Sequence, residues 1–256
     1  MQLHSLSRSP AIACFSDFDG TVTDEDSNDF MIDNMGMGRL ARRELLLKVL
    51  NEGLPFREAF RAMIASVAAN YSFPECCAKV KEANIKLDPG FKAFYEFVRA
   101  KGIPFVLISS GMTPIIRSIV GTLIGKEEAS KITIIANDVD IWDESGSAGN
   151  WGVKFRHPDS PFGHDKDVAI SDFKAQDPNI ITFFCGDGLS DMSAARSATM
   201  REGSGDDLAA HCEKEDIPFE GFRNFHEVRK SVEAVLDGRI QASDLCAGRA
   251  GGTIVS

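Results

Sequence analysis

Short apolar runs alternate with longer stretches in which apolar residues recur at helical spacing. Residues 11–16, 104–109, 131–136 and 180–185 are brief and rich in Ile, Val or Phe. Continuous apolar runs of this kind predict strands buried on both faces of a parallel sheet. Phe91, Phe94, Phe97 and Val98 mark one face of a helix over 90–101, which Gly102 stops. Thr113 followed by Pro114 reads as an N-cap and a first helical residue, opening a helix to about Leu123. Residues 190–197 and 223–236 predict two more helices. The alternation predicts an α/β fold: a doubly wound, Rossmann-like and mostly parallel sheet covered by helices.

Two stretches break the rhythm. No strand-like run separates Ser16 from Pro104; instead 37–51, 55–69 and 73–84 predict three helices. This places an inserted helical cap domain at 25–85 and a core domain at 1–24 and 86–256. Residues 138–155, in which Trp142 and Trp151 flank Gly- and Ser-rich positions, predict a small β-hairpin with a long tip. The closing residues 247–256 are small and Gly-rich, the composition of a frayed tail.

Composition narrows the class of protein. Apolar residues make up 43% and charged residues 26%, which is globular and excludes a disordered chain. No apolar run approaches the ~20 residues of a membrane-spanning helix. Residues 1–15 lack the basic cluster and long apolar stretch of a secretory leader, so a cytoplasmic setting without a membrane partner is expected. An excess of 38 Asp and Glu over 28 Lys and Arg gives a charge of −10, which argues against the basic face of a nucleic-acid binder. It leaves room for a small anionic substrate, because a local cation or helix N-terminus can outweigh the global charge. Cys14, Cys76, Cys77, Cys185, Cys212 and Cys246 show no zinc-like or redox spacing. His157, His164, His211 and His226 form no ligand spacing either.

Candidate chemistry gathers at the ends of the predicted strands. Asp17-Phe18-Asp19-Gly20-Thr21-Val22-Thr23 follows the first strand, where open α/β sheets bind their ligands. Two carboxylates at this spacing can share a hard cation and still do different work. A calcium-binding EF-hand is excluded, since its Gly would be sixth in the loop and a helix would precede it. Ser109-Ser110-Gly111 ends the second strand just before a helix; a hydroxyl, backbone N–H groups and a helix N-terminus make an anion cradle. Lys166, at the expected start of another helix, can serve as a point charge on a phosphate. Phe184-Cys185-Gly186-Asp187-Gly188-Leu189-Ser190-Asp191 ends the fourth strand with two further oxygen donors suited to magnesium. Each piece alone has an ordinary structural reading, as an acidic turn, a corner or a surface lysine. Their joint order carries the signal.

The four motifs together resemble those of the haloacid dehalogenase superfamily, in its phosphoserine-phosphatase-like branch with a helical cap. They organise most of residues 11–200. The resemblance implies a magnesium-dependent phosphomonoesterase that acts on a small phosphorylated metabolite. Asp17 would be the nucleophile that forms an aspartyl-phosphate. Asp19 would protonate the leaving oxygen and then activate water. Magnesium would be held by Asp17, the Asp19 backbone oxygen and Asp187, with Asp191 binding directly or through water. Ser109, Ser110, Gly111 and Lys166 would bind phosphate. Asp26 falls where phosphoserine phosphatase sets an acid against the substrate ammonium, and Arg61 roughly where its carboxylate-binding Arg lies. Arg61 also reads simply as an exposed charge on a cap helix.

Ser27-Asn28-Asp29-Phe30 and the string from Ser160 to Lys166 depart from the phosphoserine pattern. They look like a fungal-type subgroup related to the phosphatase of 2-hydroxy-3-keto-5-methylthiopentenyl-1-phosphate. The substrate therefore stays open among phosphoserine and sugar, polyol or keto phosphates. Met31, Met35, Met37 and Met63, with Phe30, Phe56, Phe60 and Phe73, make the cap greasy, either as its own core or as a seat for a prenyl or aromatic phosphate. The same core could serve a phosphomutase or phosphotransferase whose cap excludes water. It could also serve a non-catalytic phospho-acceptor or binding module, against which Asp19 and the cap both argue.

Overall fold

The computed structural model describes residues 11–194, 200–203, 206–217, 219–241 and 244. Cys246 and the Gly-rich tail lie outside them. Among the described residues, seven strands form one sheet: β1 (Ile12–Ser16), β2 (Phe105–Met112), β3 (Thr133–Ile141), β4 (Trp151–Lys154), β5 (Ile181–Gly186), β6 (Met200–Gly203) and β7 (Glu220–Gly221). Their order is β4-β3-β2-β1-β5-β6-β7. Every neighbouring pair is parallel except β3–β4, which is the expected hairpin. β6 reads Met-Arg-Glu-Gly and β7 is only two residues, so neither carries the apolar run by which a strand is recognised.

All five residues of β1 are buried, and it sits between β2 and β5. The chain is wound outward from β1 in both directions, so a crevice opens at the C-terminal ends of β1, β2 and β5. Alternate residues of β1 supply two cores. Ala13 and Phe15 join Ile108, Ile170 and Phe184 on one face, while Ile12 and Cys14 join Phe91, Phe105 and Phe225 on the other. Each such large apolar side chain contributes about 1.5–3 kcal/mol when removed from water.

In the stretch of chain expected to be the insertion, four helices are found where the sequence predicts three. They are α1 (Ser27–Met35), α2 (Arg39–Glu52), α3 (Phe56–Ala68) and α4 (Phe73–Glu82). α1 is short and its apolar face is weak, which hides it from pattern reading. Asp26 starts it, accepting hydrogen bonds from the Asn28 and Asp29 backbone N–H groups. α3 buries Phe60, Met63, Ile64 and Val67, a full helical stripe. α4 begins with a reciprocal Ser72–Glu75 capping box.

The remaining helices are α5 (Phe91–Ala100), α6 (Thr113–Ile124), α7 (Lys126–Lys131), α8 (Lys166–Gln176), α9 (Asp206–Lys214) and α10 (Phe225–Leu236). Two expectations need correction here. Thr113 is not the N-cap of α6. β2 runs to Met112 and turns straight into the helix, so Thr113 is its first residue and donates its hydroxyl to the Asn137 carbonyl at 3.0 Å. The helix expected over 190–197 starts differently: a 3-10 turn at Leu189–Asp191 comes first and Ala194 is the first α-helical residue, while residues 195–199 lie outside the described residues. Among the described residues, no helix is long and apolar enough to cross a membrane.

Candidate active site

The site grows from the loop after β1. Asp17 N–H donates to the Cys185 carbonyl at 2.8 Å, so the Asp17 side chain leaves the sheet at its C-terminal edge. Gly20 holds φ +75°, and a Cβ there would lie 2.5 Å from Asp187 Oδ2. Both the left-handed backbone and the missing side chain are required for this turn to pass Asp187. Thr21 then donates its hydroxyl to Asp187 Oδ1 at 2.9 Å, tying the loop after β1 to the loop after β5.

Lys166 enters from α8. The preceding loop is folded by His157 N–H on the Gly163 carbonyl at 2.7 Å and Asp165 N–H on His157 Nδ1 at 2.9 Å. Gly163 has φ +73°, and a side chain there would strike the Phe155 ring. Asp165 caps α8, and the Lys166 backbone N–H donates to Ser193 Oγ at 3.2 Å. The Lys166 side chain is thereby threaded into the interior, with Nζ 2.9 Å from Asp17 Oδ1 and 2.5 Å from Asp191 Oδ1. Asp191 Oδ2 accepts the N–H groups of Asp187 and Gly188, each at 3.0 Å. Nearby His164 is also fully buried, and burial and the Lys166 charge push its pKa down to about 3, so the imidazole is neutral.

The charges around Lys166 do not balance. Burial alone would lower its pKa, but Asp17 and Asp191 overturn that and hold it above its ordinary value. Burial and the neighbouring carboxylates Asp191 and Asp187 push Asp17 up, against the pull of Lys166. Burial and Asp191 raise Asp187 to about 7, with the Thr21 hydroxyl opposing. Asp17, Asp187 and Asp191 each offer a carboxylate oxygen, all within 4.8 Å of one another. One ammonium among three carboxylates leaves an excess of negative charge in a low-dielectric place. An all-oxygen donor set with that excess fits a hard divalent cation.

Asp19 points the other way, toward the insertion. Its Oδ1 accepts the Ser27 backbone N–H at 2.8 Å and its Oδ2 accepts Asn28 Nδ2 at 2.9 Å. Burial, then the Asp26 charge, raise its pKa well above the ordinary carboxylate value, while hydrogen bonds from Ser27 act against them. Facing it, Ser109 and Ser110 are buried at the end of β2. Gly111 N–H donates to Ser109 Oγ at 3.0 Å. The Asn137 amide donates to the Ser110 carbonyl at 2.8 Å and accepts the Arg156 N–H at 2.9 Å, bracing this loop from β3.

Asp17, Asp19, Ser109, Ser110, Gly111 and Asp187 bound a cavity of about 220 Å³. Its other wall belongs to the insertion. Ile32, Leu46, Phe56, Phe60 and Met63 give it an apolar half, and Asp26, Asn28, Asp29 and Arg42 a polar half. Several of the greasy insertion residues therefore do both jobs, since Phe60 and Met63 are core as well as lining. Arg61 is not among the lining residues. It is half-exposed, lies over the Phe155 ring at 4.8 Å and pairs with Glu58 at 3.6 Å. Arg42 does reach the cavity, but its guanidinium is taken up by Asp29 at 2.5 Å and by both oxygens of Asp33 at 2.7 and 2.8 Å. Arg42, Asn28 and Asn137 are the site residues that sequence reasoning missed. Asn137 carried a signal, as a polar residue just past an apolar run on a strand beside β2. Arg42 carried none, being one of several charges on a polar helix.

A profile of the haloacid dehalogenase-like hydrolases matches residues 14–196. The chain belongs to this family, and it is an enzyme of the phosphatase type. It is 38% identical over 240 residues to the polyol phosphate phosphatase PYP1 of Saccharomyces cerevisiae (strain ATCC 204508 / S288c), covering 90% of this chain and 96% of that one. It is 26% identical over 231 residues to the 2-hydroxy-3-keto-5-methylthiopentenyl-1-phosphate phosphatase of Bacillus thuringiensis subsp. konkukian (strain 97-27), covering 90% of this chain and all of the other. Its fold is similar to a solved phosphoserine phosphatase carrying a phospho-aspartyl intermediate analogue, with a TM-score of 0.64 at 17% identity over 87% of this chain and 99% of that one.

Proposed function

We propose that this protein is a magnesium-dependent phosphomonoesterase that works through an aspartyl-phosphate and prefers a neutral, hydroxylated leaving group of the polyol phosphate kind. The observation that carries the chemistry is the buried Lys166 ammonium held between Asp17 and Asp191, 2.9 Å from Asp17 Oδ1. Asp17 is the nucleophile. Its carboxylate oxygen bonds to phosphorus as the ester P–O bond breaks, and Asp19 gives its proton to the departing oxygen. Water then loses a proton to Asp19 and attacks the acyl phosphate, which releases phosphate and restores Asp17. The raised pKa of Asp19 suits it to carry a proton near neutrality.

Lys166 lowers the repulsion between the carboxylate and the phosphate dianion, and Ser109, Ser110 and the Gly111 N–H hold the phosphate oxygens. Magnesium would be held by Asp17, Asp187 and the Asp19 backbone oxygen with Asp191 beside them, and would supply further charge neutralisation. Asp191 serves chiefly to hold Lys166 and the turn after β5. Residues 25–85 act as the cap, which excludes water and reads the leaving group.

The substrate preference rests on the cavity wall. A phosphoserine carboxylate calls for an available cation, yet Arg61 is outside the cavity and Arg42 is already paired three ways. The acceptors Asp26 and Asp29 suit hydroxyl groups instead. The 38% identical relative from yeast acts, by its name, on polyol phosphate. The test is phosphate release with magnesium from glycerol 3-phosphate, a pentitol phosphate, a sugar phosphate, phosphoserine and a prenyl phosphate. The polyol esters should lead. Phosphoserine or prenyl phosphate in front would overturn the substrate reading, and no release from any of them would overturn the chemistry.

A further inference from the structure

We propose that Asn28 is a positioning residue for acid catalysis: it holds Asp19 against the phosphate cradle and thereby makes proton delivery depend on the insertion. The inference rests on the reading of Asp19 as the group that protonates the leaving oxygen. Three observations meet at this point. Asn28 Nδ2 donates to Asp19 Oδ2 at 2.9 Å, and the Ser27 N–H takes the other oxygen at 2.8 Å, so the first turn of α1 fixes both ends of the carboxyl group. A Cβ built on Gly111 would lie 3.2 Å from Asn28 Nδ2, from Asp19 Oδ2 and from Ser109 Oγ alike. The amide, the acid and the phosphate loop therefore pack together around Gly111, on the wall of the cavity that a bound substrate would fill. Asn28 is only 7% exposed, bounds the cavity, and its Oδ1 has no donor among the described residues. Asp19, with Asp26 beside it, thus sets the orientation of the amide.

The geometry makes a specific kinetic demand. An alkoxide leaves poorly unless a proton arrives as the bond breaks, whereas p-nitrophenolate leaves without one. A residue that aims the acid should matter for the first kind of ester and little for the second. A residue that only supports the fold or the substrate should affect both alike. The appropriate quantity is kcat/KM, which includes ester cleavage and omits the later hydrolysis of the acyl phosphate.

Asn28→Ala and the near-isosteric Asn28→Leu are compared with the wild type on glycerol 3-phosphate and p-nitrophenyl phosphate, with magnesium and with folding checked by melting temperature. The expected result is a loss on the alkyl ester at least about tenfold greater than the loss on the aryl ester, within the 10²–10⁴-fold reach of general acid catalysis. Across a series of phosphate esters, kcat/KM should depend more steeply on leaving-group acidity in the variants than in the wild type. Equal losses on both esters, or no loss on either, would overturn the assignment. If one variant is unfolded, the other decides. A wild-type protein that cleaves neither ester would instead overturn the phosphatase reading itself, so the two failures are distinguishable.

Discussion

The two walls of the cavity place their one cation differently. On the sheet side, a single buried ammonium faces three carboxylates, and burial, then the Asp191 charge, push Asp187 up to about 7. On the insertion side, Arg42 is taken up by Asp29 and Asp33 within the same pair of helices and Asp26 adds a further carboxylate, so that half of the wall offers acceptors and no spare cation. On the proposed reading, the sheet side accepts a cation and a phosphate, and the insertion side accepts hydroxyl groups. Chemistry and selectivity are assigned to separate pieces of chain that share one cavity.

The largest expected effect comes from cancelling the charge on the sheet side. Lys166→Met should lower phosphate release by on the order of 10²–10³-fold, measured with magnesium at saturating substrate; near-normal release would show that the surplus carboxylates tolerate a phosphate unaided. On the insertion side, Arg42→Ala should leave Asp29 and Asp33 unmatched. It should cost about 1–3 kcal/mol in denaturant unfolding, less than a deeply buried pair because Asp29 is 39% exposed. Asp33→Asn probes the same contrast more gently. By freeing part of the Arg42 guanidinium, it should lower KM for phosphoserine relative to a polyol phosphate, and an unchanged ratio would refute the pairing of Arg42 as the basis of selectivity.

The pH dependence of stability follows from the same carboxylates. Asp29 and Asp187 titrate near 7 in the folded chain against 3.8 as free groups. Between those values the folded form holds more protons, so stability in EDTA should fall as pH rises from about 4 to about 7. Magnesium should flatten the slope by matching the Asp187 side of the surplus, and a slope unaffected by magnesium would speak against the donor set. The smallest effect belongs to Arg61. Its Ala variant should leave KM unchanged across acidic and neutral substrates, since Arg61 sits over Phe155 outside the cavity.

The sheet and its motifs could be read from the chain because they depend on local pattern. Buried parallel strands need continuous apolar runs, and the loops after β1, β2 and β5 carry their chemistry immediately past those runs. α1 escaped notice because its start depends on a side-chain cap at Asp26 and its packing on Met31 and Ile32, with little periodic contrast. Arg42 escaped for a different reason. Its importance arises from Asp29 and Asp33 on another helix, and nothing in the local sequence of α2 singles it out from Arg39 or Arg43. Asn28 was visible as an unusual residue, but its partner Asp19 is set by the tertiary fold.

The loop that delivers Lys166 also carries the insertion. Arg57 N–H, in the first turn of α3, donates to the Pro161 carbonyl at 2.8 Å, and the Arg57 guanidinium bonds the Pro158 carbonyl. Five residues beyond Pro161 the same strand of chain becomes Lys166. A lid fastened this way is no free flap. To let a bulky guest in or a product out, it must either unfasten from the loop or drag it along. On the reading of residues 25–85 as a cap, entry and exit would be geared to the lysine, and opening would disturb the charge proposed to bind the phosphate.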